Sequence, residues 1–185
     1  MGPYIKYTKN LILQVENESK AKEVLDLYLR NRYVFEQFEP TRPFGFYTID
    51  YHYSMLYREY NAFLRGNFIR YYIYRPSNMS RIIGAINFNI HMDSVEPYAE
   101  IGYKIDQLYQ NQGLCYEACL ACLQVIKNDY GIHKVDARIH PDNKSSIALA
   151  TKLGFKPLYV EPQSANVMGK YVDLVRYSLT ISDIQ

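Results

Sequence analysis

The stretch Tyr98-Ala-Glu-Ile-Gly-Tyr-Lys-Ile-Asp-Gln-Leu-Tyr-Gln-Asn-Gln-Gly-Leu-Cys115 decides the fold. In its first half Ala99, Ile101, Tyr103 and Ile105 fall on one side of an extended chain, and Glu100 and Lys104 on the other. The second half, Gln110-Asn-Gln-Gly113-Leu-Cys115, is a glutamine- and glycine-containing turn that opens a helical pattern running from Gly113 to Tyr130. A strand that turns directly into a helix leaves the first helical N–H groups unpaired and aimed outward, which is a site for a pyrophosphate. A helix N-terminus carries roughly half a positive charge, and Gly113 lets a phosphate approach the backbone closely.

Working outward, Lys134 to His140 reads as a strand, Asn143 to Leu153 as a helix, and Phe155 to Val160 and Tyr171 to Ile181 as a closing strand pair. Upstream, Leu11 to Val15 reads as a strand. Ser19 to Tyr33 reads as a helix with Ser19 at its N-cap, and Tyr51 to Leu64 as a second helix. Pro40 and Pro43 mark the loop from Glu36 to Phe46 between them. Strands from Phe68 to Tyr74, Arg81 to Asn89 and Tyr98 to Ile105 complete the order β-α-α-β-β-β-α-β-α-β-β. The expectation is one mixed α/β domain over residues 1–185.

Composition narrows the function classes. Hydrophobic residues make up 48% and charged residues 22%, which excludes a disordered or membrane-embedded chain. A formal charge of +2 gives no general argument for nucleic acid or acidic lipid. Met1 to Asn10 is polar, Lys6 stands where a myristoylation signal wants Ser or Thr, and no apolar run is long enough to span a bilayer. A cytoplasmic protein without membrane or nucleic-acid partners is the expectation, its oligomeric state open between monomer and homodimer.

Two further patterns compete for chemistry. Cys115-x-x-x-Cys119-x-x-Cys122 has the spacing of a three-thiolate iron–sulfur motif. At i, i+4 and i+7 of a helix, however, these cysteines extend an apolar stripe with Val125 and Ile126, so core packing is expected and no metal. Arg65-Gly-Asn-Phe-Ile-Arg-Tyr-Tyr-Ile-Tyr-Arg75 interleaves basic and aromatic residues as an RNA-stacking strand does. The plainer reading is a sheet strand whose tyrosines pack on helices. Tyr47, Tyr51, Tyr53 and Tyr57 either line an amine pocket or fill core and surface.

Gln110-x-x-Gly113-x-Cys115 and Asn143-x-x-Ser146, in this element order, resemble the GCN5-related N-acetyltransferases. Arg81-Ile-Ile-Gly84-Ala-Ile86, Ala99-Glu-Ile-Gly102-Tyr103, Gly113-Leu-Cys-Tyr-Glu117-Ala118 and Gly169-Lys-Tyr171-Val-Asp173 narrow the resemblance to the ribosomal-protein N-terminal acetyltransferase (RimJ/RimL-like) branch. The resemblance implies a largely antiparallel mixed sheet, splayed between two parallel strands and flanked by helices on both faces. It implies acetyl-CoA as acetyl donor, coenzyme A as product, and a primary amine, on a protein N-terminus or a small molecule, as acceptor. The alternative is a nucleic-acid-binding or other non-catalytic coenzyme A-binding module.

On the same resemblance the pantetheine arm lies in the splay against Tyr103, Lys104 and Ile105. The pyrophosphate lies at Gln112, Gly113, Leu114 and Cys115, Gln110 belongs to the same cofactor site, and Asn143 contacts the pantetheine. Cys115 departs from the Gly, Ala or Met frequent in relatives, but only its N–H faces the phosphate. Ser146 is the candidate to protonate the leaving thiolate, or else it and Asn143 serve the helix start. Glu100 is the candidate general base, with His140 as the rival. In some ribosomal-protein acetyltransferases a glutamate before the last strand is the base; spacing puts Ala165 there, with Glu161 displaced from it.

Overall fold

The structure, a computed structural model, describes residues 4–181. Eight strands form one sheet in the order β1-β2-β3-β4-β5-β6-β8-β7. These are β1 (Ile5–Tyr7), β2 (Ile12–Val15), β3 (Phe68–Tyr74), β4 (Gly84–His91), β5 (Tyr98–Ile105), β6 (Lys134–Ile139), β7 (Lys156–Val167) and β8 (Lys170–Thr180). Five helices flank them: α1 (Ala21–Arg30), α2 (Arg32–Glu36), α3 (Ile49–Leu64), α4 (Leu114–Tyr130) and α5 (Lys144–Lys152). Every neighbouring pair is antiparallel except β5 and β6.

The parallel pair defines the site. β5 and β6 are in register at only three positions, Tyr98↔Lys134, Ala99↔Val135 and Glu100↔Asp136. Beyond them the strands part, so Ile101 to Ile105 of β5 have no strand on that side while remaining paired to β4 on the other. The close approach of β4 to β5 depends on Gly84, where a Cβ would sit 2.5 Å from the Lys104 carbonyl oxygen.

Alternation along the strands feeds two cores. On one face Ile69, Tyr71, Ile86, Ile101, Val135 and Leu179 pack against Cys119, Cys122, Ile126 and Ala150 of α4 and α5. On the other, Tyr72, Tyr74 and Ala85 pack against Val24, Leu27, Met55 and Leu56 of α1 and α3. Full burial of each large apolar side chain contributes roughly 1.5–3 kcal/mol, so both faces need their helices.

Several boundaries differ from the sequence reading. The three-residue β1 was not expected; it is defined by its pairing with β2 and has no periodicity of its own. The helix expected from Ser19 to Tyr33 is a 3-10 turn (Glu18–Lys20) followed by α1 and α2. Asn17 rather than Ser19 provides the cap, its side chain accepting from the Ser19 N–H. The break falls at Asn31, whose buried amide donates to the Leu27 carbonyl and accepts from the distant Gln107 N–H. β7 runs on to Val167, well past the expected Val160, because bulges absorb the irregular residues between Glu161 and Ala165. Among the described residues no helix is long and apolar enough to cross a membrane.

Candidate active site

A cavity of about 490 Å3 opens where β5 and β6 part, bounded by the starts of α4 and α5 and by the α2–α3 loop. The loop entering α4 is fixed from the other layer of the molecule. Asp106, 1% exposed, accepts from Arg30 at 2.7 Å, from Arg81 at 3.2 Å and from the Leu108 N–H at 3.1 Å. Burial works against the charge on Asp106, but these donors together hold its carboxyl below the usual range. At Gly113 the backbone turns left-handed, with φ +76°, and no side chain caps the helix. The ladder of α4 begins with Glu117 donating to the Gly113 carbonyl at 3.0 Å, so the N–H groups before it stay available. The Glu117 carboxylate faces away, taking the backbone and side-chain N–H groups of Asn10 at 2.8 and 2.9 Å.

Of the residues expected to bind the cofactor, Tyr103, Lys104, Ile105, Gln110, Gly113, Leu114, Cys115, Asn143 and Ser146 all line this cavity. Gln112 does not; its side chain folds back to donate to the Leu108 carbonyl at 3.0 Å. The Asn143 side-chain oxygen caps α5, accepting from the Ser146 N–H at 3.1 Å and from the Ser145 hydroxyl at 2.9 Å. The Ser146 hydroxyl lies 2.9 Å from the Tyr103 hydroxyl, which also donates to the Ser146 carbonyl at 3.0 Å. Burial pushes the Tyr103 phenol well above its ordinary range, so both groups are neutral proton carriers.

Lys104 points its side chain to the opposite face from Tyr103. Its ammonium bonds both oxygens of Glu39 at 2.8 and 2.7 Å and lies 4.8 Å from the centre of the Tyr28 ring. Arg42 also bonds Glu39 and sits over Phe46 at 4.4 Å. Burial opposes the charge on Glu39, but the two cations outweigh it and hold the carboxyl below its usual range. Glu39 also lines a second cavity of about 560 Å3, formed by the α2–α3 loop with Arg32, Phe44, Phe46 and Tyr47, and by Met168 of the β7–β8 turn. It is the one residue common to the linings of both cavities.

Residues 11–156 match the family model of the acetyltransferase (GNAT) domain. The chain belongs to the GNAT acetyltransferase family. It is accordingly an acetyl-CoA-dependent N-acetyltransferase, and its similarities lie with the RimJ/RimL-like branch. It is 26% identical over 182 residues to the Escherichia coli (strain K12) ribosomal protein uS5-alanine N-acetyltransferase, covering 95% of this chain and 90% of that one. The Vibrio fischeri ribosomal-protein-S5-alanine acetyltransferase superimposes with a TM-score of 0.89 at 19% identity, covering 98% of each chain. RimL, a ribosomal L7/L12 alpha-N-protein acetyltransferase solved with coenzyme A, gives 0.82 at 22% identity over 97% of this chain and 99% of that one.

Against this GNAT frame, the residues weighed as general base sit apart from the cofactor cavity or are engaged elsewhere. Glu100 is absent from its lining and is ion-paired to Arg176 at 3.0 Å. The His140 ring packs on Phe38, and its Nδ1 accepts from the Asp142 N–H at 3.1 Å, so that nitrogen is already occupied. Glu161 accepts from Arg138 and Arg176, each at 2.6 Å, and Ala165 is buried on β7 opposite Val172. Cys119 and Cys122 are fully buried, and burial raises both thiols, which keeps them protonated in the core. Among the described residues no group of three His, Cys, Asp or Glu is placed to hold a metal. In the strand weighed as an RNA platform, Tyr71, Tyr72 and Tyr74 are buried. Of the four tyrosines weighed for an amine pocket, Tyr47 lines the second cavity, Tyr51 packs on Phe46, and Tyr53 and Tyr57 are exposed. The Glu39 cluster and the Asp106 anchor escaped the sequence reading; Glu39-Pro-x-Arg42 lay inside a segment read as plain loop, and only the Asp106 N-cap pattern before a turn was a local signal.

Proposed function

We propose that this GNAT enzyme acetylates the α-amine of a protein N-terminus, working in the cytoplasm where such chains are made. The observation that carries the reading is the meeting of two cavities at Glu39: one at the splay and the α4 N-terminus, the other open at the α2–α3 loop. Acetyl-CoA supplies the activated thioester. In this arrangement the N–H groups of Gly113 to Cys115 receive the pyrophosphate, and the freed edge of β5 from Tyr103 to Ile105 receives the pantetheine arm. Ser146, backed by Tyr103, is placed to hand a proton to the departing thiolate.

The acceptor class follows from the state of the carboxylates. Glu39 and Glu161 are each held by two cations that keep their carboxyls below the usual range, which makes them poor bases, and Glu100 lies outside the cofactor cavity, paired to Arg176. An α-amine, with a pKa near 7.7–8.0, is already partly neutral at physiological pH and can lose its proton to water, whereas a lysine-type amine near 10.4 cannot. The similarity to uS5-alanine N-acetyltransferase along 95% of the chain supports the same choice. The test is coenzyme A thiol release with short peptides. A free N-terminal alanine or serine peptide is expected to support turnover, and the same peptide blocked at its N-terminus, with a lysine inside it, to be silent. Turnover with polyamines or free amino acids but not with peptides overturns the reading.

A further inference from the structure

The fork between β5 and β6 needs something to fix its position, because three register pairs are a short parallel ladder and parallel pairing is the weaker kind. The ladder ends at Glu100↔Asp136, and those two side chains share one partner. Arg176 of β8 places Nη1 3.0 Å from Glu100 Oε1 and 3.0 Å from Asp136 Oδ2. Its Nε reaches Glu161 Oε1 of β7 at 2.6 Å, and the other Glu161 oxygen is taken by Arg138 of β6. Ser178 completes Asp136 from β8 at 2.6 Å. The Arg176 side chain is 15% exposed, so these contacts are sheltered from water, where charge-assisted bonds are strongest. One guanidinium therefore joins β5, β6, β7 and β8 at the last paired rung of the fork.

We propose that Arg176 is a positioning residue which, through Glu100 and Asp136, fixes where the splay opens and so holds the free edge of β5 in the geometry that receives the pantetheine arm. The proposal rests on the placement of the cofactor arm given above. The rungs from Tyr98 to Glu100 and this clamp tie β5 to β6 at the closed end of the fork, and so set where an arm can enter between the strands. It also gives Glu100 a task other than proton transfer. The charged and titratable groups around the clamp are Glu100 on β5, Asp136 and Arg138 on β6, Glu161 on β7 and Arg176 on β8. The ring of Tyr159 lies against Arg176, and Arg58, Glu59 and His91 from α3 and β4 share a shallow cavity with Glu100. Without the guanidinium, Glu100 and Asp136 lose the cation they share, Glu161 keeps only Arg138, and the three carboxylates repel one another across the fork.

The experiment measures acetyl-CoA KM and kcat, with saturating acceptor peptide, for Glu100→Gln, Arg176→Met and Arg176→Lys. Glu100→Gln is expected to raise the acetyl-CoA KM about tenfold with little change in kcat. Arg176→Met is expected to raise it further at pH 8. Arg176→Lys, which keeps the charge but not the fork of donors, should recover much of that loss. A fall in kcat for Glu100→Gln with KM unmoved overturns the clamp and returns Glu100 to the chemistry. Variants that fold and bind acetyl-CoA like wild type overturn it equally. Should Arg176→Met fail to fold, the Lys variant and Glu100→Gln decide alone. A wild-type protein whose melting temperature ignores acetyl-CoA instead sinks the placement of the cofactor, and the clamp's purpose with it.

Discussion

On the α4/α5 face of the sheet, the cofactor cavity is lined by main-chain groups at the start of α4, by side-chain amides and by neutral hydroxyls, together with the cation Lys152 of α5. On the α1–α3 face charged side chains are bound to each other: Glu39, which lines both cavities, with Lys104 and Arg42, and Glu100, outside the cofactor cavity, with Arg176. The first kind of surface keeps its charge state across physiological pH, since helix-terminal amides do not titrate and the Tyr103 phenol is pushed further from titration by burial. The second kind depends on ion pairs whose partners come from different elements. The comparison teaches that the proposed donor site rests mainly on backbone groups, while the proposed acceptor side and the support of the loop entering α4 rest on buried charge.

The largest expected effect tests that support. Asp106→Ala leaves Arg30 and Arg81 facing a buried void and should cost ~3–5 kcal/mol in chemical denaturation, with acetyl-CoA affinity falling in step. Because the folded Asp106 carboxyl is held below its unfolded value, its contribution is present above about pH 4 and is lost as pH falls through the folded pKa, so the variant should lack that part of the acid limb.

Next is His52, buried between the rings of Tyr28 and Phe46. Burial, with Arg42 and Arg70 adding to it, pushes its imidazole down to about 4. The unfolded chain then takes up a proton below about pH 6.5 that the folded one refuses, so stability falls between those two values by up to on the order of 3 kcal/mol. His52→Phe should flatten that limb in a pH series of melting curves, leaving acetyl-CoA binding unchanged at pH 8. An unaltered limb would show that the α1–α3 face is not the pH-sensitive one.

Changes on the other face should act on function more than on stability. Ser146→Ala and Tyr103→Phe should each lower kcat by roughly 10–100-fold with smaller changes in cofactor affinity, and the double variant should lose little more than either alone if the hydroxyls act as a pair. Additive losses measured in steady-state kinetics would separate them. The smallest effect is expected for Gly113→Ala. Nothing lies within 4 Å of the added Cβ, but the left-handed backbone is strained by ~1–2 kcal/mol. Calorimetric titration should show acetyl-CoA affinity reduced about tenfold.

The elements that carried a local signature were legible. β5 alternates cleanly, α4 opens after a glycine-bearing turn, and α5 opens on an asparagine that caps it, so these appear in the structure within a few residues of expectation. The single helix expected over Ser19 to Tyr33 breaks at Asn31, whose side chain accepts from a backbone N–H 76 positions away, a contact that no local pattern announces. The strand position of Glu100 gives it a polar face, which suits a candidate base, but says nothing of Arg176, which arrives from β8.

What the sequence determined by itself is therefore the donor half: period-two strands, the turn at Gly113 and the capping residues all act over a few residues, where spacing is geometry. Only the tertiary structure decided how far β5 and β6 stay paired, which carboxylates are free, and that two cavities meet at Glu39. Those outcomes depend on charges brought together from elements far apart in the chain, and no local pattern encodes which of several possible partners a buried charge will meet.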